Sequence, residues 1–410
     1  MKQITLTHPN ALLHGQLSIT GSKSESNRLL VLQAQYPNLS ISNLSNSDDT
    51  KALQQALTTV PATVDIHHAG TAMRFLTAYY ASTPGRECLL TGSSRMQERP
   101  IGILVEALRS MGANIEYAKN EGFPPLQIIG TALEASTVRL PASISSQFIT
   151  ALLLTAPKLK HGLKIILEGA ITSRPYIEMT CALMRQLGID VAFTGNTLEV
   201  APTSHIPIAE IAVESDWSSA SYAYSILALA EEGALTLTTY RKESLQGDAC
   251  LQSIYTQLGV ESSFQHNQLQ LRKIPNFKCP EKLVLDLAHA PDIAQTIAVS
   301  CAALGVACSL TGLHTLKIKE TDRLVALQRE LEKFGAKVHI TADSLHLQPP
   351  TTLTADVAVA TYNDHRMALA FAPLALKTTL QINDALVVNK SYPSYWEDLK
   401  KLGFSVNSIK

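Results

Sequence analysis

The sequence predicts an α/β fold in two domains, each assembled from three copies of one helix–glycine–strand unit. The chain has 410 residues, roughly two to three times a typical domain length, so one small domain is excluded. Along it an amphipathic helix, a glycine and an alternating strand recur, with glycines at 112, 188, 259, 335 and 403, spaced by 76, 71, 76 and 68 residues. Units of about 70 residues are too long and too few for the common solenoids, and six of them fill the chain. With 46% hydrophobic and only 17% charged residues, the chain has material for a large core and too little charge for disorder.

Taken in order, Leu17-Ser18-Ile19 reads as a short strand and Leu29 onward as a helix. Lys51 to Leu57, followed by Val64-Asp65-Ile66, is a weaker copy of the unit without its glycine. The full copies run Leu104 to Gly112, Met179 to Gly188, Cys250 to Gly259, Leu327 to Gly335 and Leu399 to Gly403. Glycine suits the left-handed residue just past a helix end. Ile189-Asp190-Val191-Ala192-Phe193 and Ala336-Lys337-Val338-His339-Ile340 then alternate as half-buried strands do. Ile293 to Leu316 carries no charge, yet Gln295, Ser300, Gly305, Ser309, Thr311 and Gly312 interrupt it. It reads as a buried helix stopping near Gly305 and then a buried strand, not as a membrane span.

The six cysteines, at 88, 181, 250, 279, 301 and 308, form no CxxC pair and sit mostly in apolar stretches. They read as buried free thiols in a reducing compartment, without structural zinc. Met1-Lys2-Gln3-Ile4-Thr5 has neither an apolar nor an Arg-rich leader pattern, so the expected location is cytoplasmic. Lys and Arg (34) balance Asp and Glu (35), which removes the broad basic footprint of a nucleic-acid binder. Any anion site must gather its cations locally.

Such gathering occurs at helix starts, where unpaired N–H groups and the positive dipole end favour anions. Gly21-Ser22-Lys23-Ser24-Glu25-Ser26-Asn27-Arg28 opens the first helix, with Ser24 and Arg28 at i and i+4. A Walker pattern fails because Gln16 stands at its first glycine. His67-His68-Ala69-Gly70-Thr71-Ala72-Met73-Arg74 opens another, and Arg95-Met96-Gln97-Glu98-Arg99-Pro100 places proline at a first helical position. Ser143-Ile144-Ser145-Ser146-Gln147 and Ser173-Arg174-Pro175-Tyr176 add hydroxyls and an amide, each with plain capping as its alternative. Further on come Asp292, a plausible N-cap, Lys317-Ile318-Lys319-Glu320-Thr321-Asp322-Arg323, Tyr362-Asn363-Asp364-His365-Arg366 and Val388-Asn389-Lys390. Lys319 and Arg323 are i, i+4 neighbours with Glu320 beside both. Adjacent His67 and His68 point apart and have no Cys or carboxylate at ligand spacing, so no metal is expected.

These segments resemble, in order, those of the 5-enolpyruvylshikimate-3-phosphate synthases. The resemblance rests on Gly21-Ser22-Lys23-Ser24 with Asn27-Arg28, Ala69-Gly70-Thr71-Ala72-Met73-Arg74, Glu98-Arg99-Pro100-Ile101, Ser145-Ser146-Gln147-Phe148, and Asp216 with Ser218-Ser219-Ala220-Ser221-Tyr222. It continues through Pro291-Asp292, Lys319-Glu320-Thr321-Asp322-Arg323 and Asn363-Asp364-His365-Arg366-Met367, and spans residue 21 to about 395. It implies a two-domain inverted α/β barrel, each domain three βαβαββ repeats with helices inside sheets. Domain 21–213 would be inserted into a second domain of 1–20 plus 214–410, with the active site in the cleft between them. The related UDP-N-acetylglucosamine enolpyruvyl transferases carry a cysteine in the loop before Arg-Pro, and Gly92 to Arg99 has none. A non-catalytic anion-binding protein on the same scaffold is the other alternative, against which Glu320, Asp292 and Lys23 stand intact.

The implied reaction joins phosphoenolpyruvate to the 5-hydroxyl of shikimate 3-phosphate and releases phosphate. The two substrates bring about five to six negative charges, against the motif cations Lys23, Arg28, Arg74, Arg99, Lys319, Arg323, Arg366 and Lys390. By resemblance, shikimate 3-phosphate is held by Lys23, Ser24, Arg28, Ser145, Ser146, Gln147, Ser173, Tyr176, Asp292 and Lys319. Phosphoenolpyruvate is held by Lys23, Gly70, Arg74, Arg99, Gln147, Arg323, Arg366 and Lys390. Glu320 protonates the methylene, Asp292 takes the 5-hydroxyl proton, and Lys23 and Lys319 stabilise the intermediate. Thr71 and His365 line the same motifs. The sequence departs from the usual pattern with His68 where asparagine is usual, Trp217 where alanine is usual and Thr315 where asparagine is often seen. His68 either touches phosphoenolpyruvate or packs on the neighbouring strand. No cofactor, no metal, no nucleic acid, no membrane and a monomer are expected.

Overall fold

The computed structural model describes residues 3–9, 12–59, 61–171 and 174–409, without the side chains of Ile318 and Ile409. The chain divides into two compact units, 21–213 and 1–20 with 214–410. Each is taken by itself.

The unit 21–213 holds α1 (Lys23–Gln35), α2 (Asp48–Thr58), α3 (Gly70–Ala81), α4 (Ser94–Gln97), α5 (Gly102–Ser110), α6 (Ser146–Thr155) and α7 (Arg174–Gln186). In one sheet Thr63–Asp65 runs parallel to Glu87–Thr91, which pairs antiparallel with Leu126–Ile129, itself antiparallel to Asn114–Tyr117. Thr137–Pro141, Leu163–Glu168, Thr197–Val200 and Val191–Thr194 repeat that order. A third sheet has two described strands, Ser40–Ser42 parallel to Glu210–Ala212. This corrects one expectation. Val64-Asp65-Ile66 does not close a weak copy after α2 but opens the next sheet; the copy containing α1 and α2 lacks an antiparallel hairpin among the described residues.

The unit of 1–20 and 214–410 holds α8 (Trp217–Leu229), α9 (Leu251–Thr256), α10 (Ala294–Leu304), α11 (Arg323–Lys333), α12 (His365–Phe371) and α13 (Tyr395–Lys401). Lys282–Asp286, Ala307–Thr311, Leu345–Gln348 and Lys337–Ile340 form a sheet of the same order. The other two sheets each borrow a strand from the chain start. Leu12–Leu17 lies parallel to Glu232–Thr238, and Gln3–Thr7 lies between Leu380–Asn383 and Ser405–Ile409, antiparallel to both.

Each copy pairs an inner helix with an outer one. Nine of ten residues of α6 and twelve of thirteen of α8 are buried, so these helices are enclosed on every face. Outer helices α5, α7 and α11 are amphipathic and end at the repeat glycines, whose φ of 102°, 82° and 93° at Gly112, Gly188 and Gly335 is left-handed. The inner helices α8 and α10 join through equivalent hydroxyls. Ser221 meets Thr296 at 3.0 Å and Ser225 meets Ser300 at 2.8 Å, both pairs 75 residues apart. The uncharged stretch from Ile293 resolves into α10, a left-handed Gly305 and the strand Ala307–Thr311. Among the described residues no helix is long and apolar enough to cross a membrane. All six cysteines are free; four are buried, Cys279 is half-buried and Cys250 is exposed.

Candidate functional site

In the unit 21–213 the expected residues collect at the starts of α1, α3, α6 and α7. Lys23 begins α1, with Nζ 3.5 Å from Asp49 Oδ2. Arg28, one turn on, is buried: Nη1 donates to the Ser24 carbonyl at 2.7 Å, Nε to Thr180 Oγ1 at 2.8 Å and Nη2 to the Tyr176 carbonyl at 3.2 Å. Ser24, Arg28 and Tyr176 are thus one cluster, and burial lowers Arg28 to about 10. Ser145 caps α6 through the Gln147 N–H, and the Gln147 amide donates to Thr71 Oγ1 at 3.2 Å. Ser146 is buried behind it. Ser173 lies outside the described residues.

A second cluster forms over Gly70, the first residue of α3. A Cβ there would stand 2.5 Å from Arg99 Nη1, so any other residue would push the guanidinium out of this position. Arg74 lies in the same turn, donating to Gly70 O at 3.3 Å and Pro100 O at 3.0 Å. Burial, and then the neighbouring Arg99, lower Arg74 to about 9. Two guanidinium groups held against each other beside a helix start are a site for an anion. Pro100 is not the first helical residue as expected. α5 begins at Gly102 with Ile101 before it, because the short helix α4 occupies the preceding turn. His67 adopts φ 49°, and its ring approaches Asp65 while His68 turns to Ser93 Oγ at 2.9 Å. His68 is exposed.

In the other unit, one buried arginine organises the site. Arg323, 2% exposed, donates from Nε to Asp364 Oδ2 at 2.6 Å, from Nη1 to Asp292 Oδ1 at 2.9 Å and from Nη2 to Glu320 Oε2 at 2.7 Å. Burial works to lower its pKa, but these three carboxylates outweigh burial and raise it. Asp292 also accepts from Arg366 Nη2 at 3.1 Å and stands 3.6 Å from Lys319 Nζ. Arg366 is likewise raised well above its ordinary value against the pull of burial, Asp292 being the largest opposing influence.

Two sequence expectations change here. Asp292 does not cap α10. It sits in the turn Pro291–Ile293 and spends both oxygens on arginines. Lys319 and Arg323 do not share a helix face, because α11 begins at Arg323 and Asp322 caps it; Asp292 brings the two cations together instead. Thr315 Oγ1 is buried without a hydrogen-bond partner among the described residues. Lys390 donates to the Asn363 carbonyl at 2.6 Å, in a turn where Tyr362 and Asn363 are both left-handed. His365 is buried next to Asp364, Nδ1 lying 3.8 Å from Oδ1.

Sequence reasoning missed Asp49, beside Lys23, and Asp248, which accepts from Ser218; it named Ser218 and Asp364 within motifs but gave neither a role. Asp364 was findable, since an aspartate directly before a helical run is an N-cap signal. It caps α12 with one oxygen and holds Arg323 with the other. Trp217 belongs to the core: fully buried, it donates to Glu214 at 2.8 Å and meets Tyr240 edge-on. Among the described residues no three His, Cys, Asp or Glu side chains gather as a metal site.

The sequence model of the family described as EPSP synthase (3-phosphoshikimate 1-carboxyvinyltransferase) matches residues 52–399. A 3-phosphoshikimate 1-carboxyvinyltransferase of Bacteroides fragilis is 45% identical over 395 residues, 95% of each chain. One from Vibrio vulnificus is 36% identical over 432 aligned residues, covering 98% of this chain and 99% of its own. A solved EPSP synthase of Acinetobacter baumannii matches in fold with a TM-score of 0.80, at 20% identity and with all of both chains covered.

Proposed function

We propose that this chain, which belongs to the EPSP synthase (3-phosphoshikimate 1-carboxyvinyltransferase) family, works through the three arginine clusters described above. The reaction is transfer of the enolpyruvyl group of phosphoenolpyruvate to the 5-hydroxyl of shikimate 3-phosphate, with release of phosphate. In this reading Arg28, Ser24, Ser145, Ser146, Ser173 and Tyr176 hold shikimate 3-phosphate, together with Lys23 and Gln147. Arg74 and Arg99 over Gly70, with Arg323, Arg366 and Lys390, hold phosphoenolpyruvate. Guanidinium forks fix carboxylate and phosphate bidentately, which sets the attack geometry.

The observation that carries the reading is that Asp292 and Glu320 share the guanidinium of Arg323. An incoming substrate carboxylate competes for the same donors. Losing its cation, Glu320 binds a proton more readily and can deliver it to the enol methylene. The 5-hydroxyl adds to C2 as Asp292 takes its proton, and Lys23 and Lys319 stabilise the tetrahedral intermediate. Glu320 then removes a methyl proton while the C–O bond to phosphate breaks. No P–O bond is cleaved, so the chemistry does not call for the divalent ion of phosphoryl transfer.

Phosphate should therefore appear only when both substrates are present, with EDTA without effect and UDP-N-acetylglucosamine unable to replace shikimate 3-phosphate. A colorimetric phosphate assay decides it; activity lost to the chelator and restored by a divalent ion would overturn the metal-free route. The same reading has a monomer in the cytoplasm, supported by six unpaired thiols and by a motif set complete within one chain.

His68 offers a separate check. Neutral imidazole donates one hydrogen bond as an amide does, so His68→Asn should retain activity. His68→Ala should lower kcat/KM for phosphoenolpyruvate by about 1.5–3 kcal/mol, roughly ten- to 150-fold. Unchanged kinetics in the alanine variant would show that this exposed ring never touches substrate.

A further inference from the structure

One buried carboxylate beside the Arg366 cluster has no part in the mechanism above. Asp248, in the single turn Gly247–Cys250, is 7% exposed. It accepts a hydrogen bond from the hydroxyl of Ser218, in the first turn of α8. Ser218 Oγ in turn accepts from Arg366 Nη2 at 3.3 Å, the nitrogen that also reaches Asp292 Oδ2 at 3.1 Å. Arg366 Nε is buried and has no partner among the described residues. The turn carrying Asp248 is itself pinned, because Gln246 accepts from the Trp217 N–H at 2.9 Å and donates to Ser215 O at 3.1 Å.

A serine hydroxyl has one proton to give. Committed to Asp248, it leaves only lone pairs for the guanidinium. We propose that Asp248 is a positioning residue: through Ser218 it holds Arg366 in place for phosphoenolpyruvate, above all at the moment when Asp292 accepts the substrate proton and loosens its own grip. The proposal rests on the reading of Arg366 as a phosphoenolpyruvate ligand.

The charge state of Asp248 sets the direction of the relay. Burial first, then Asp292, push its carboxyl up to about 6, against Arg366 and Ser218, with Asp216 adding to the rise. Below that pH a protonated Asp248 donates to Ser218, whose hydrogen then turns toward Arg366, a donor facing a donor. Above it the carboxylate is ionised although its folded-state pKa exceeds the ordinary value of 3.8. Stability is therefore lost as pH rises from the unfolded to the folded pKa. Folding alone does not favour this group.

Steady-state kinetics across pH 5–9 test the relay, with circular dichroism confirming that each variant folds. Asp248→Ala should raise KM for phosphoenolpyruvate at least about tenfold, with kcat and shikimate 3-phosphate binding within about threefold of wild type. Ser218→Ala should do the same, and the double variant should be no worse than either single one. Asp248→Asn, whose amide oxygen still accepts from Ser218, should restore KM to within about threefold. Its acid limb of kcat/KM should be one proton shallower than that of wild type, the remaining proton being the substrate phosphate, which titrates near 6. Unchanged KM in both alanine variants, additive losses in the double variant, or equal steepness of the two limbs would overturn the relay. An inactive wild-type protein would instead defeat the proposed function, so the two failures are distinguishable.

Discussion

Replacing Glu320 by glutamine, or Asp292 by asparagine, is expected to slow turnover by about 10²–10⁴-fold, the usual contribution of a positioned acid or base. The two variants should differ in what else they lose. Glu320 touches Arg323 with one oxygen and is about one-third exposed, at 34% of its side chain, so glutamine keeps the contact and shikimate 3-phosphate still binds. Asp292 serves Arg323 and Arg366 at once. Asparagine offers one acceptor and one N–H donor group to those two donors, so KM for phosphoenolpyruvate should rise as well. Phosphate release and calorimetric binding of each substrate separate the effects. Near wild-type turnover in both variants would reassign the proton transfers, Lys23 being next in line.

Arg323→Leu is expected to be the most damaging substitution for stability. Asp364 is fully buried and Arg323 is 2% exposed, and Asp292 and Glu320 converge on the same guanidinium. Removing one side of a buried pair costs about 3–5 kcal/mol because the other charge stays behind. Urea unfolding should show that loss, together with abolished use of phosphoenolpyruvate. Arg323→Lys keeps the charge but offers one ammonium in place of a planar fork, so it should recover part of the stability and little of the affinity. Wild-type stability in Arg323→Leu would mean that the three carboxylates find other partners.

These effects reside in contacts that the sequence showed only by half. The outer helices were legible because each is amphipathic and stops at a glycine, as α11 does at Gly335. The inner helices were harder. A segment such as Trp217–Leu229, buried on all faces, has no polar side to set its period, and only the polar cluster at its start marks it. Cations at helix starts were readable one by one, but their partners were not. Arg323 lies 31 residues from Asp292 and 41 from Asp364, and no local rule links such distances. Pro100 shows the opposite error, a local rule applied where α4 had already taken the turn.

The strand Gln3–Thr7 has a consequence for synthesis on the ribosome. Its partners are Leu380–Asn383 and Ser405–Ile409, so this strand is made long before either of them. Among the described residues, the strands of the three sheets of 21–213 have all been made once Ala212 has left the tunnel, and none of them pairs with the chain beyond it. At about 5–20 residues per second, the wait from Gln3 to Ile409 is roughly 20–80 s. During it Ile4 and Leu6, both fully buried in the finished sheet, have neither of their strand partners to pair with. That is the condition in which strands pair wrongly or are taken by chaperones. Pairing across some 400 residues is the kind of non-local contact that slows folding, so deleting this strand is expected to change the refolding rate of the unit it completes.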